Sequence, residues 1–295
     1  MNTHLSIDYL SIGQRLRAYR IGASLRAEDI AKHLNISRAA VYRLERGELV
    51  KIEVLEKLSQ LLNVSISSLL GVEVEYHATA LGFFERLRQL ESQATQIKAH
   101  FDPFSFLLTS PDYLNSLEMM LFESSENQQS DNHKISQILA ILAERKKAYT
   151  QQKEKATINT LIGIPQIEKF LHLGLIGNLN IQPSKKFERV LSARKEILYL
   201  IEQLEEQNNL NQVAVVNQAL PNQTFQIMYQ NRSPFSLTMS PFRLGELPNI
   251  DIGIASVTST PETIKLYEDV FCTLWERGAK GTHGIDALKT ILNNY

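Results

Sequence analysis

Apolar positions in the first seventy residues recur at spacings of three and four, and each run ends at a polar or glycine stop. Ile12, Leu16 and Tyr19 share one face and predict a helix over Ile12–Arg20. Ile30, Ala31 and Leu34 predict a second over Leu25–Leu34, ended by Asn35. Val41 and Leu44 are the inward positions of a third helix within residues 36–47, with Ser37 able to cap its free amides and Gly47 to end it in a left-handed turn. Ile52, Leu55, Leu58, Leu61 and Leu62 make a fourth helix, and Ile66, Leu69 and Leu70 a fifth after Ser65. Five short helices in about 60 residues can just bury a core.

The third helix carries the chemistry. With Val41 and Leu44 inward, the outward positions are Arg38, Ala39, Tyr42, Arg43 and Arg46. A short helix with a buried stripe and an arginine-rich outer face suits reading of base edges and phosphates in a DNA major groove. The short turn Asn35-Ile36-Ser37 is what joins two crossing helices.

On Leu16, Arg20, LRAEDIAKHLNIS (25–37), AVYRLERG (40–47) and LEKLSQLLNVSISSLL (55–70), the stretch from about 10 to 71 resembles the Xre/λ-repressor-like helix-turn-helix family. The resemblance implies a partly buried ion pair between Arg20 and Glu45. It also implies base contacts from Arg38, Ala39 and Arg43, and phosphate contacts from Ser37, Tyr42 and Arg46. Many members carry Gln at the start of the second helix, where it touches a phosphate. Here that position is Ala27, and neighbouring Arg26 is the candidate replacement.

Behind the head the pattern loosens. Residues 71–78 lack a helical stripe and read as a linker. Leu81, Phe84, Leu87, Leu90, Ala94, Ile97 and Phe101 predict one long connector helix, broken at Asp102-Pro103. Ser110-Pro111-Asp112 reads as a helix start, the polar run from Glu123 to His133 as a mobile surface loop, and residues 134–152, 165–176 and 183–208 as helices. Gln212–Gln218, Thr224–Tyr229, Phe235–Met239 and Ile250–Thr258 read as strands, and two helices, over Pro261–Arg277 and about Gly284–Leu292, close the chain. The expected fold is mainly α: a five-helix λ-repressor-like DNA-binding domain at 1–71, a linker and connector at 72–103, and an α+β domain with a small antiparallel sheet at 104–295.

LLTSPDYLNSL (107–117), ILAERKKAY (141–149) and the run 233–278 are similar to a C-terminal domain of unknown biochemical function behind Xre-type heads in actinobacterial regulators. That likeness implies a regulatory or partner-binding domain and brings no catalytic residues.

Charge sharpens the division. Residues 1–71 hold ten Lys/Arg against seven Asp/Glu, a net of +3, and the remainder a net of −4. A basic head on a mildly acidic body suits a DNA reader attached to something that does not bind DNA. The single cysteine, Cys272, falls in an apolar helical stripe and cannot form an internal disulfide, which points to a reducing compartment. With no signal peptide and no apolar run of about 18 residues, the expected location is the cytoplasm, away from membranes. His172 and His283 belong to no HExxH or CxxC pattern, Arg277–Gly284 lacks the order of a phosphate loop, and no nucleophile elbow exists. No enzyme, cofactor or metal is therefore expected.

Tyr199, Met228, Tyr229, Phe235, Met239, Phe242, Tyr267, Phe271 and Trp275 have the character of an apolar ligand cavity, with Arg243 as polar anchor, although a core uses the same residues. Together these features describe a sequence-specific transcription regulator, a repressor in type, acting as a homodimer on double-stranded operator DNA. Its body senses a small-molecule effector or mediates dimerisation. The alternative is an antitoxin-like module whose body binds a small protein partner while the head autoregulates.

Overall fold

The computed structural model describes residues 8–48, 51–72, 74–125, 128–152, 154–206, 210–218 and 220–295. Five helices open the chain: α1 (Tyr9–Gly22), α2 (Ala27–Leu34), α3 (Arg38–Glu45), α4 (Ile52–Leu62) and α5 (Ile66–Leu70). Local chemistry sets their ends. Ser37 and Ser65 accept from the backbone N–H groups of Ala40 and Ser68, and Asn35 and Asn63 end α2 and α4 in the left-handed region. Leu16, Tyr19, Ile30, Val41, Leu58 and Leu69 fill the small core. Ile52 departs from its stripe and is 77% exposed.

The chain continues as β1 (Val74–His77), α6 (Ala80–Glu91), β2 (Gln96–His100), a 3-10 turn (Phe106–Leu108), α7 (Tyr113–Ser124), α8 (Gln128–Gln151), β3 (Thr157–Gly163), α9 (Ile164–Leu173) and α10 (Pro183–Glu205). It closes with β4 (Gln212–Val216), β5 (Thr224–Gln230), β6 (Ser233–Ser240), β7 (Ala255–Thr258), α11 (Pro261–Arg277), β8 (Ala279–Lys280) and α12 (Gly281–Asn294).

The strands form one eight-stranded mixed sheet in the order β1-β7-β6-β5-β2-β3-β4-β8. β2, β3 and β4 run parallel, and every other neighbouring pair is antiparallel. Helices cover both faces. Ile158, Ile162, Val213, Val215 and Met228 pack with α6–α10 and α12; Leu161, Ala214, Val216, Phe225, Ile227 and Tyr229 pack beneath α11. Burial on both faces explains the apolar run Val213–Val216 of β4 and the fully buried second half of β3.

Several expectations need correction. The sheet is large and mixed, not small and antiparallel. The stripe from Leu81 to Phe101 is not one helix. α6 stops at Glu91, and Ile97 belongs to β2, which pairs with both β3 and β5. Spacings of three and four happened to carry across the junction. The supposed linker contains β1, and the stretch read as connector supplies β1, α6 and β2 to the body. The loop at 123–133 shrinks, since α7 reaches Ser124 and α8 starts at Gln128; residues 126–127 lie outside those described. Of the strand expected at Ile250–Thr258, only Ala255–Thr258 pairs, and Ile252 and Ile254 are exposed. Cys272 lies on the exposed side of α11, outside the apolar stripe.

Candidate nucleic-acid interface

α3 sits on the rest of the head through Val41, which is fully buried, and half-buried Leu44. Ser37, Arg38, Ala39, Tyr42, Arg43 and Arg46 are all exposed along one side. Gly47 follows at φ +88°, where a Cβ would also come within 2.7 Å of the Leu10 backbone. Arg26 is exposed too, and its backbone N–H donates to Asp29 Oδ2 at 2.7 Å at the start of α2.

Behind this face, Arg20 grips Glu45 twice, Nε to Oε1 at 2.5 Å and Nη2 to Oε2 at 3.1 Å, and also donates to the Leu25 carbonyl at 2.9 Å. One guanidinium thus ties α1, the start of α2 and the end of α3, so the angle of α3 is set by a charged clamp as well as by packing.

Two carboxylates that the sequence reading passed over engage the exposed arginines. Arg38 Nη1 lies 2.9 Å from Glu28 Oε1, and its guanidinium also reaches the Tyr42 hydroxyl and stands 5.4 Å from that ring's centroid. Arg43 Nε lies 3.0 Å from Glu48 Oε2. Both pairs are more than half exposed, so each holds its arginine weakly and can yield to a phosphate or a base. Glu48 stands just past the helix stop, a place where a periodicity argument does not look.

The head is fastened to the body. Gly22 of α1 and Gly82 of α6 meet so closely that a Cβ on either would lie 3.0 Å from the other's Cα. Thr79 donates to the Gly22 carbonyl at 3.1 Å, and Gln89 to the Gln14 carbonyl at 3.1 Å. Glu75 of β1 accepts from Arg15 of α1 at 2.6 Å and from Arg86 of α6 at 2.8 and 3.0 Å. Burial alone would raise the Glu75 carboxyl, but Arg86 and Arg15 outweigh it and hold it well below the usual carboxylate range. Alongside, the Tyr19 ring stacks on His77 at 4.8 Å, and His77 meets Phe83 of α6 at 6.4 Å. Burial keeps His77 below its ordinary pKa, so the ring at this junction is neutral near pH 7. Glu75 was missed because it lay in a presumed linker; the alternation Val74-Glu75-Tyr76-His77 was the available signal.

The expected aromatic cavity does not assemble. Tyr229, Tyr267, Phe271 and Trp275 form the core between the sheet and α11. Met228, next to Tyr229 on β5, points to the opposite face, as strand alternation requires. Tyr199 of α10 lines a separate groove with Lys146 and Tyr149. Arg243 lies elsewhere again, beside Asp102.

Residues 11–69 match the helix-turn-helix domain family. This chain carries a helix-turn-helix domain, which supports a DNA-binding regulator. No curated protein and no solved structure matches the chain. The helix-turn-helix domain spans α1 to α5, so the family match ends just before β1, where the body's sheet begins. Among the described residues no helix is long and apolar enough to cross a membrane, and no cluster of three His, Cys, Asp or Glu is arranged to hold a metal.

Proposed function

We propose that this protein is a sequence-specific, Xre-type transcription regulator that binds operator DNA as a homodimer, with residues 72–295 serving as its regulatory body. The observation that carries the reading is the exposed side of α3, where three arginines, a tyrosine and a serine stand on a helix braced by the Arg20–Glu45 clamp. Arg38 and Arg43 read bases, since a guanidinium can grip O6 and N7 of guanine with two hydrogen bonds. Ser37, Tyr42, Arg46 and, from the start of α2, Arg26 take phosphates, and Ala39 offers a methyl to the groove.

A recognition helix of eight residues meets only a few base pairs, so a second copy is needed for a specific site. Exposed Met119 and Phe122 of α7 and Phe187 and Leu191 of α10 offer that copy an apolar face on the body, and Arg189 joins the two helices through Met119 and Glu123. Regulation follows from the docking. Tyr19, His77 and Phe83 form a packed path from α1 into the body's core, so a ligand that favours one packing there biases the head.

Binding-site selection with the whole chain tests the reading. Arg38→Ala or Arg43→Ala is expected to cost about 1–3 kcal/mol at the preferred site and to relax preference at one base pair each. Unchanged preferred sequences in both variants, or no DNA selected by the native chain, would refute it.

A further inference from the structure

α10 presents a face that its own fold leaves bare. Its buried residues are Ala193, Glu196, Ile197, Leu200 and Ile201. At about 3.6 residues per turn, Phe187, Leu191 and Leu198 fall on the opposite side of the helix. They are 65%, 41% and 45% exposed. A helix face that meets only water carries polar residues, so three large apolar side chains in one outward row call for a cover.

Two charges stand in the same row. Glu188 and Lys195 are both exposed, and among the described residues neither has an ion-pair partner. Arg194, beside Lys195, is drawn to the fold instead, its Nη1 donating to the Leu292 carbonyl at 2.8 Å. Glu188 and Lys195 are seven positions apart. That is about 10 Å along the axis, too far for them to pair within one helix, where partners stand three or four apart.

A second α10 running antiparallel meets both needs at once. With the two-fold axis beside Leu191, Glu188 of each copy lies over Lys195 of the other, and Leu191 meets its own counterpart. Phe187 then enters the hole between Leu191 and Leu198 of the second copy, against the aliphatic stem of its Lys195. Other arrangements put like charges together. Setting Leu191 opposite Leu198 of the second copy brings the two Lys195 ammoniums face to face, and a parallel pair about a two-fold sets each charge beside its own counterpart. A surface that is complementary to itself about a two-fold is what a closed dimer uses.

We infer that the outward face of α10 is where two copies of this chain associate, antiparallel and with reciprocal Glu188–Lys195 pairs. The inference rests on the homodimer reading and gives that dimer its contact and its register. One helix pair belongs to the small end of protein interfaces, below about 1,200 Å², so the free chain dimerises reversibly in the micromolar range.

Sedimentation of the full chain from about 1 to 100 μM tests this. The native chain should pass from monomer to dimer. Glu188→Lys and Lys195→Glu, each alone, place like charges at both contacts and should weaken association at least about tenfold. An equimolar mixture of the two variants joins opposite charges again and should regain the native affinity as a mixed dimer. Leu191→Glu, at a partly exposed position, should leave the chain monomeric throughout. A native chain that dimerises while the single variants or Leu191→Glu dimerise equally well overturns the α10 contact alone, as does a mixture that regains nothing. A native chain that stays monomeric, with and without selected DNA, overturns the homodimer reading and leaves this face to a different protein. DNA selection is read separately: a chain that dimerises through α10 yet selects no DNA overturns the regulator reading and not this surface.

Discussion

Replacing Glu75 by Gln tests how firmly the head is joined to the body. The Glu75 side chain is only 5% exposed and faces two guanidiniums, Arg15 at 11% and Arg86 at 4%. The substitution removes the one negative charge between them. Arg15 then keeps a 3.3 Å contact to the Leu70 carbonyl, and Arg86 a 3.3 Å contact to Gln89 Oε1. Stripping one partner from a buried pair costs about 3–5 kcal/mol, and the amide oxygen of Gln, still an acceptor, puts the cost near the lower end. A domain is stable by only about 5–15 kcal/mol, so the loss is large, and it corresponds to a melting temperature lower by roughly 6–12 °C. Hydrogen exchange should localise it, with α1 and α6 losing protection before the central strands. The pH dependence has a definite sign. Because the folded carboxyl sits below its unfolded value of 4.5, its contribution is complete above that value and fades as pH falls through the folded pKa. Glu75→Gln should erase that part of the acid response. A melting temperature within about 2 °C of the native chain, or strictly additive effects of Arg15→Gln and Glu75→Gln, would refute the coupling.

Three further outcomes follow from the same contacts. Glu45→Ala strands Arg20 and should cost about 3 kcal/mol, with DNA binding lost although Glu45 faces away from the exposed side; a native melting profile would contradict the clamp. Glu48→Gln releases Arg43 from an exposed pair worth up to about 1 kcal/mol, so affinity for mixed-sequence DNA should rise by as much as roughly fivefold at low salt, and a fall in titration would contradict it. His77 and His100 are both held below the ordinary histidine pKa by burial, so the unfolded chain takes protons that the folded one refuses. The histidines' contribution should be flat above pH 6.5 and then drop toward acid by up to about 1.4 kcal/mol per pH unit per histidine; His77→Gln should cut that slope, and an unchanged slope between pH 7 and 5.5 would refute it.

The helix-turn-helix domain was legible because its determinants are local. Ser37 and Ser65 cap, Asn35, Asn63 and Gly47 stop, and Val41 lies in the buried stripe, all within a few residues of what they control. α11 was legible for the same reason, with Pro261 in its first turn and Gly278 just beyond its last residue. The body was not. A strand is defined by its partners, and the register of β2 is set by β3 and β5, about 60 and 130 residues away, so Gln96–His100 carried no signal strong enough to break the helical spacing before it. β3, buried on both faces, lacks the alternation that marks a half-covered strand. Tertiary structure alone decided which polar residues matter. It placed Glu75 between arginines 60 residues upstream and 11 downstream, and it set Asp102 beside Arg243 across 141 positions of chain. It also split Met228 from Tyr229, because neighbours on a strand point to opposite faces. Composition named the residue types of a pocket; the fold distributed those residues between the two faces of the sheet and a groove beside α10.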